Sequence, residues 1–184
     1  MNPKSNEFGW TTRVGDPVLT LPFIEGLPTP EKAIAMTAWI RANSDRYANK
    51  LVKMYHATHP SIPIEREGLK PTSTERRRSY QSASGFVYLA NTPERAKNFG
   101  DMGNGGNSVV YEVLVRLRHL LPDTDQLNNQ RSVGKDVGDS IGESIIYGGG
   151  VRVKGKIEPW AVRNMESSDA AIAKPAPVRK RRAP

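Results

Sequence analysis

Apolar and polar positions along this chain repeat with two periods, and the switches between them mark the elements. After Thr29-Pro30-Glu31, the residues Ala33, Met36, Ile40, Tyr47 and Leu51 fall near one helical face, with Arg41, Asp45 and Arg46 off it. Thr29 suits an N-cap and Pro30 the first helical position, so the pattern predicts a helix that covers a sheet. Residues 53–58 form a short apolar-aromatic run that predicts a strand. Residues 86–90 predict a second, with Phe86, Tyr88 and Ala90 on one face and Val87 and Leu89 on the other. Thr92-Pro93-Glu94 repeats the cap signal and predicts a helix over 93–99, with Gly100 to close it. Residues 108–117 alternate most strongly: Val109, Tyr111, Val113, Val115 and Leu117 oppose Glu112 and Arg116. That predicts a central antiparallel strand with one partly wet face.

The remaining stretches give weaker signals. Residues 101–107, with Gly103, Gly105 and Gly106, predict a flexible turn, and 120–139 read as a polar loop suited to acceptor recognition. Residues 142–147, the turn Gly148-Gly149-Gly150 and residues 151–157 predict a strand, a turn and an alternating strand with Val151, Val153 and Ile157 inward. Residues 1–28 are rich in Gly and Pro and predict an extended lead-in, pinned to the body by Trp10, Leu21, Phe23 and Ile24. The domain is expected over 29–163. Residues 164–184 lose periodicity, end in Arg179-Lys180-Arg181-Arg182, and predict a disordered basic tail.

Composition narrows the partners. A chain of 184 residues fits one domain with tails. It has no cysteine, which excludes disulfides and thiolate zinc sites. The net charge of +8 favours an anionic partner, although part of the excess lies in the last residues. No apolar run is long enough for a membrane span, and the N-terminus lacks a charged-then-apolar signal pattern. A cytoplasmic protein is the expectation.

The candidate chemistry gathers between Met54 and Gly100. His56 lies near the end of the first strand, which closes in His56-Ala57-Thr58, and Tyr88 sits on the second. Between them lie Arg66, Lys70, Arg76, Arg77 and Arg78, which form either a solvated face or a set of phosphate donors. His59, just before Pro60, reads as an exposed loop residue. The order Tyr55-His56-Ala57-Thr58, then Glu67-Gly68-Leu69-Lys70-Pro71, then Val87-Tyr88-Leu89-Ala90-Asn91-Thr92-Pro93-Glu94 resembles the first half of the histidine–tyrosine branch of the ADP-ribosyltransferase superfamily. That branch includes rifamycin-modifying enzymes, poly-ADP-ribosylating enzymes and RNA 2′-phosphotransferases. The match covers residues 52–100, and residues 157–160 resemble the superfamily's closing strand.

The resemblance implies an α+β fold of two small, mainly antiparallel sheets around an NAD cleft. NAD would be a substrate, with ADP-ribose passed to a macromolecular acceptor, protein or nucleic acid, and nicotinamide released. His56 would hold the nicotinamide ribose, Ala57 and Thr58 would offer backbone groups, and Tyr88 would stack on the ring. Lys70 and Arg76 are candidates for the pyrophosphate. Glu143 falls near the third signature position, where a carboxylate stabilises the oxocarbenium-like centre, with Ser140, Asp139 and Glu112 as competitors. The chemistry needs no metal and no membrane. Two alternatives share the fold: removal of an RNA 2′-phosphate, and an inactive module that binds nucleic acid or protein. Arg41-Ala42-Asn43 resembles part of a phosphotransferase motif, but the Gln-Gly-His that should follow is missing.

Overall fold

The structure is a computed structural model, and it describes residues 18–46, 50–71 and 82–166, with the backbone alone at 4–5 and 11–12. The expectations for Trp10, Tyr47, Arg76, Arg77, Arg78 and the basic segment after residue 166 lie outside the described residues. In chain order, β1 (Lys4–Ser5) and β2 (Thr11–Thr12) pair with each other, and β3 (Val18–Leu19) is followed by α1 (Pro30–Arg46) and β4 (Leu51–Thr58). Then come α2 (Ile64–Glu67), β5 (Phe86–Ala90), α3 (Pro93–Asn104), β6 (Val109–Arg116), β7 (Leu120–Pro122) and α4 (Thr124–Ser132). The chain closes with α5 (Ile141–Glu143), β8 (Gly150–Lys154) and β9 (Val162–Asn164).

The fold is mixed α and β, built on one open, mainly antiparallel sheet of seven strands in the order β7-β8-β5-β4-β6-β9, with β3 parallel to the start of β4. The sheet is therefore continuous rather than two separate sheets, yet its continuity is uneven. β4 pairs with β6 along its whole length, from Leu51↔Arg116 to Thr58↔Val109. β5 pairs with β8 from Phe86↔Lys154 to Ala90↔Gly150. β4 and β5 meet only at Tyr55↔Ala90. The sheet thus consists of two well-laddered halves joined at a narrow seam.

Alternation buries Val87 and Leu89 of β5 and Val151 and Val153 of β8, whereas β6 is buried on both faces from Tyr111 to Val115. Val52, Met54, Val87, Leu89, Val113, Val151 and Val153 join Met36 and Ile40 of α1 in one core cluster. Removing a core side chain such as Met54, which is fully buried, leaves a void that costs roughly 2–5 kcal/mol. The face of β6 expected to be partly wet is covered: Glu112 is buried, pairs with Lys53 at 3.1 Å and also bonds Arg163. In the lead-in, Leu21 is buried and Ile24 packs on the core, whereas Phe23 is 46% exposed with a left-handed φ of 61°.

Three local predictions change. The helix begun at Thr92, whose hydroxyl accepts the Arg95 N–H at 3.2 Å, runs through Gly100 to a left-handed Gly105. Gly100 serves packing: a Cβ there would stand 2.7 Å from the Ala57 Cβ, so its absence lets α3 lie against β4. The loop expected over 120–139 contains β7 and α4, because Asp123 caps α4 by accepting the Gln126 N–H at 3.1 Å. The strand expected over 142–147 is helical instead, with α5 continuing as one π-helical turn, Ser144–Gly148. Its cause is a capping box, in which Ser140 accepts the Glu143 N–H while the Glu143 carboxylate accepts the Ser140 N–H.

Candidate active site

Antiparallel pairing brings the strands of His56 and Tyr88 together at a single residue pair. The register Tyr55↔Ala90, if continued, would set Ala57 beside Tyr88 and His56 beside Leu89, with His56 and Tyr88 on opposite faces. The ladder stops after that one pair. Across the gap, His56 Nδ1 lies 2.9 Å from the Tyr88 carbonyl oxygen. A carbonyl only accepts, so Nδ1 carries the proton and, in the neutral ring, Nε2 presents a lone pair. The imidazole thus takes the place of a ladder hydrogen bond at the seam.

A pocket of about 460 Å³ opens there, and both His56 and Tyr88 line it. Its walls come mainly from four elements: Tyr55, His56 and Ala57 of β4; Val87 to Ala90 of β5; Ala96, Phe99, Gly100 and Met102 of α3; and Gln126, Asn128 and Asn129 of α4 with Asp123 and Asp125 at that helix's start. Gly100 fixes the close approach of α3 to Ala57 that shapes the apolar side. The other side is polar and acidic.

That polar side is ordered by short bonds. The Tyr88 hydroxyl donates to Asp125 Oδ2 at 2.6 Å, and the Ala83 N–H donates to the Tyr88 Oη at 2.8 Å and to Asp125 Oδ2 at 3.2 Å. Burial, the bond to Asp125 and the Asp125 charge raise the Tyr88 phenol well above its usual range, so it stays a donor. Asp123 is only 5% exposed; its N–H donates to Ser144 Oγ at 2.7 Å, and Ser144 donates to the Gly150 carbonyl at 2.7 Å. Burial, with the Asp125 charge adding to it, lifts the Asp123 carboxyl from 3.8 to about 6, against its backbone hydrogen bonds and the pull of Arg152.

The residues expected from sequence divide clearly. His56, Ala57, Tyr88 and Lys70 line the pocket, and Lys70 also pairs with Glu67 at 2.7 Å. Thr58 is buried at the end of β4 and is not among the lining residues. Glu143 is not among them either. Its Oε1 accepts the Gly138 N–H at 2.7 Å and its Oε2 accepts the Ser140 hydroxyl at 2.7 Å. Burial raises the Glu143 pKa, but these bonds outweigh it and hold the group below its usual range. Asp139 is bound by Arg131 at 2.5 Å and Glu112 by Lys53 and Arg163, so none of the competing carboxylates reaches the pocket. His59 is held by Ser61 at 2.8 Å outside it.

The carboxylates that line the pocket are those of Asp123 and Asp125, which sequence reading did not single out. Their signal was the run Pro122-Asp123-Thr124-Asp125, an acidic helix start that passes for loop composition. Among the described residues, no group of three or more His, Asp or Glu side chains is arranged to hold a metal ion, and no helix is long and apolar enough to cross a membrane. No family model, curated protein or solved structure matches the chain at a significant level.

Proposed function

We propose that this protein is an NAD-dependent ADP-ribosyltransferase whose site is the seam pocket. The observation that supports the reading most is the meeting of His56 and Tyr88, 32 residues apart in sequence, across the seam at the wall of one pocket. The pocket volume of about 460 Å³ falls in the range of small-molecule sites. In this reading the fold is an ADP-ribosyltransferase fold, with the seam standing for its cleft.

The mechanism follows from the residue types. His56, with Nδ1 held by the Tyr88 carbonyl, accepts a ribose hydroxyl at Nε2 and fixes the sugar. The Tyr88 ring stacks on the flat nicotinamide, and its hydroxyl, tied to Asp125, keeps the ring from turning. The bond from ribose C1′ to the nicotinamide nitrogen breaks, and nicotinamide departs with the electron pair. The positive charge left at C1′ is met by the Asp123–Asp125 wall, which takes the role first given to Glu143. An acceptor nucleophile then bonds C1′ and gives up its proton.

The acidic wall suits the cationic centre left by nicotinamide, while recognition of an RNA 2′-phosphate would fall to the loop arginines Arg76, Arg77 and Arg78, which lie outside the described residues. Phosphate recognition calls for several convergent cations. Lys70 is the only lysine or arginine in the described lining, and its ammonium pairs with Glu67 at 2.7 Å. A labelled-substrate experiment tests the reading. The protein is incubated with NAD labelled in the adenosine part, together with mixed cellular protein and RNA. Label fixed on protein or on RNA supports transfer and identifies the acceptor. NAD loss only with 2′-phosphorylated RNA would replace it by the phosphotransferase, and no NAD loss would leave a binding module.

A further inference from the structure

The acidic wall suits a cationic ring and sugar centre but repels phosphate, so a substrate that carries both must lay its phosphates elsewhere. The sheet offers one such place beside the pocket. Arg152 of β8 is the cross-strand partner of Tyr88, and Lys154 is the partner of Phe86. Cross-strand partners share a face, so Phe86, Tyr88, Arg152 and Lys154 form one patch that shares Tyr88 with the pocket. The Arg152 guanidinium lies 4.4 Å from the centre of the Phe86 ring. Stacking fixes the plane of the fork before any ligand arrives.

One donor of this fork is unspent. The Arg152 Nε is buried and reaches no acceptor among the described residues. None of the salt bridges among the described residues involves Arg152. A buried N–H without a partner is costly, and an acceptor supplied from outside relieves that cost. The chemistry that matches a planar, pre-oriented guanidinium with an exposed lysine beside it is a phosphate-type oxyanion.

We infer that Arg152, stacked on Phe86 and flanked by Lys154, is an anion subsite that receives the pyrophosphate of a dinucleotide whose nicotinamide end enters the seam pocket. The inference rests on the proposed NAD reading for the name of the ligand, and on the geometry of Arg152 alone for its class. The substrate then lies across Tyr88, cationic end toward Asp125 and anionic middle on Arg152.

Calorimetric titration of the full chain with four probes tests this: inorganic pyrophosphate, ADP-ribose, NAD, and nicotinamide riboside, which has no phosphate. Arg152→Gln should weaken the three phosphate-bearing probes on the order of ten- to hundred-fold and leave the riboside within about two-fold. Arg152→Lys keeps the charge without the planar fork and should fall between, which separates the contact from a folding defect. Unchanged affinity for NAD and pyrophosphate in Arg152→Gln overturns the subsite while leaving the NAD reading intact. An equal loss for the riboside also overturns it, since Arg152 then acts only through Asp123. Wild-type protein that binds pyrophosphate through Arg152 but not NAD would keep the subsite and refute the NAD reading. Wild-type protein that binds none of the four refutes both.

Discussion

Asp123 shows how one buried side chain links stability to function. Its carboxyl is lifted from 3.8 to about 6, chiefly by burial, with the neighbouring Asp125 charge in support. The folded state therefore binds this proton more tightly than the unfolded chain. The contribution is fully present below the unfolded value near 3.8 and is lost as pH rises through about 6. Two units correspond to about 3 kcal/mol at most. Asp123→Asn keeps the size and an oxygen that can accept the Gln126 N–H, so it should flatten the stability curve between pH 4 and 6 in urea titrations. A curve still sloping there like the wild type would place the proton elsewhere. Catalysis should move the opposite way, rising through pH 6 as the carboxylate ionises. His56 and Tyr88 were legible as candidate residues that line one pocket because each sits in a short, distinctive strand. Asp123 was not, because a helix cap and a loop share the same residue types.

At the scale of elements, strands with clean alternation were readable and helix starts were read unevenly. The residues of β5, β6 and β8 announce themselves by period two, those of β4 by an apolar-aromatic run, and α1 and α3 by a threonine followed by proline. The run around Ser140 was misread because Ile145, Ile146 and Tyr147 look like strand formers taken alone. A capping box three residues apart overrides that propensity. The Glu143 carboxylate is spent on this box and on the Gly138 N–H, so its account is structural. Glu143→Ala should lower stability by about 1 kcal/mol and leave the turnover of folded protein within about two-fold. A rate loss on the order of a hundred-fold or more, without matching loss of stability, would restore Glu143 as the group facing the reacting centre.

The whole molecule is organised around what its sheet leaves unpaired. Either half could be laid down by ordinary antiparallel pairing, yet β4 and β5 form a ladder pair at Tyr55↔Ala90 alone. The backbone groups beyond that pair border the pocket, and a histidine side chain bridges the strands in place of a ladder bond. That seam is not visible in the sequence, because alternation reports which face a residue takes and not how far two strands stay in register. The resemblance led to two sheets around a cleft; the structure has a single sheet with a weak join. The pocket at that join is claimed as an NAD site, and release of nicotinamide from NAD tests the claim most directly. It should be measured for wild-type protein and for His56→Ala, Tyr88→Ala and Asp125→Asn, each checked by thermal unfolding. Wild-type release, reduced on the order of 10²–10³ in the Asp125→Asn variant and strongly in the other two while all remain folded, is the predicted result. No release by the wild type, or release that survives all three substitutions, would contradict it.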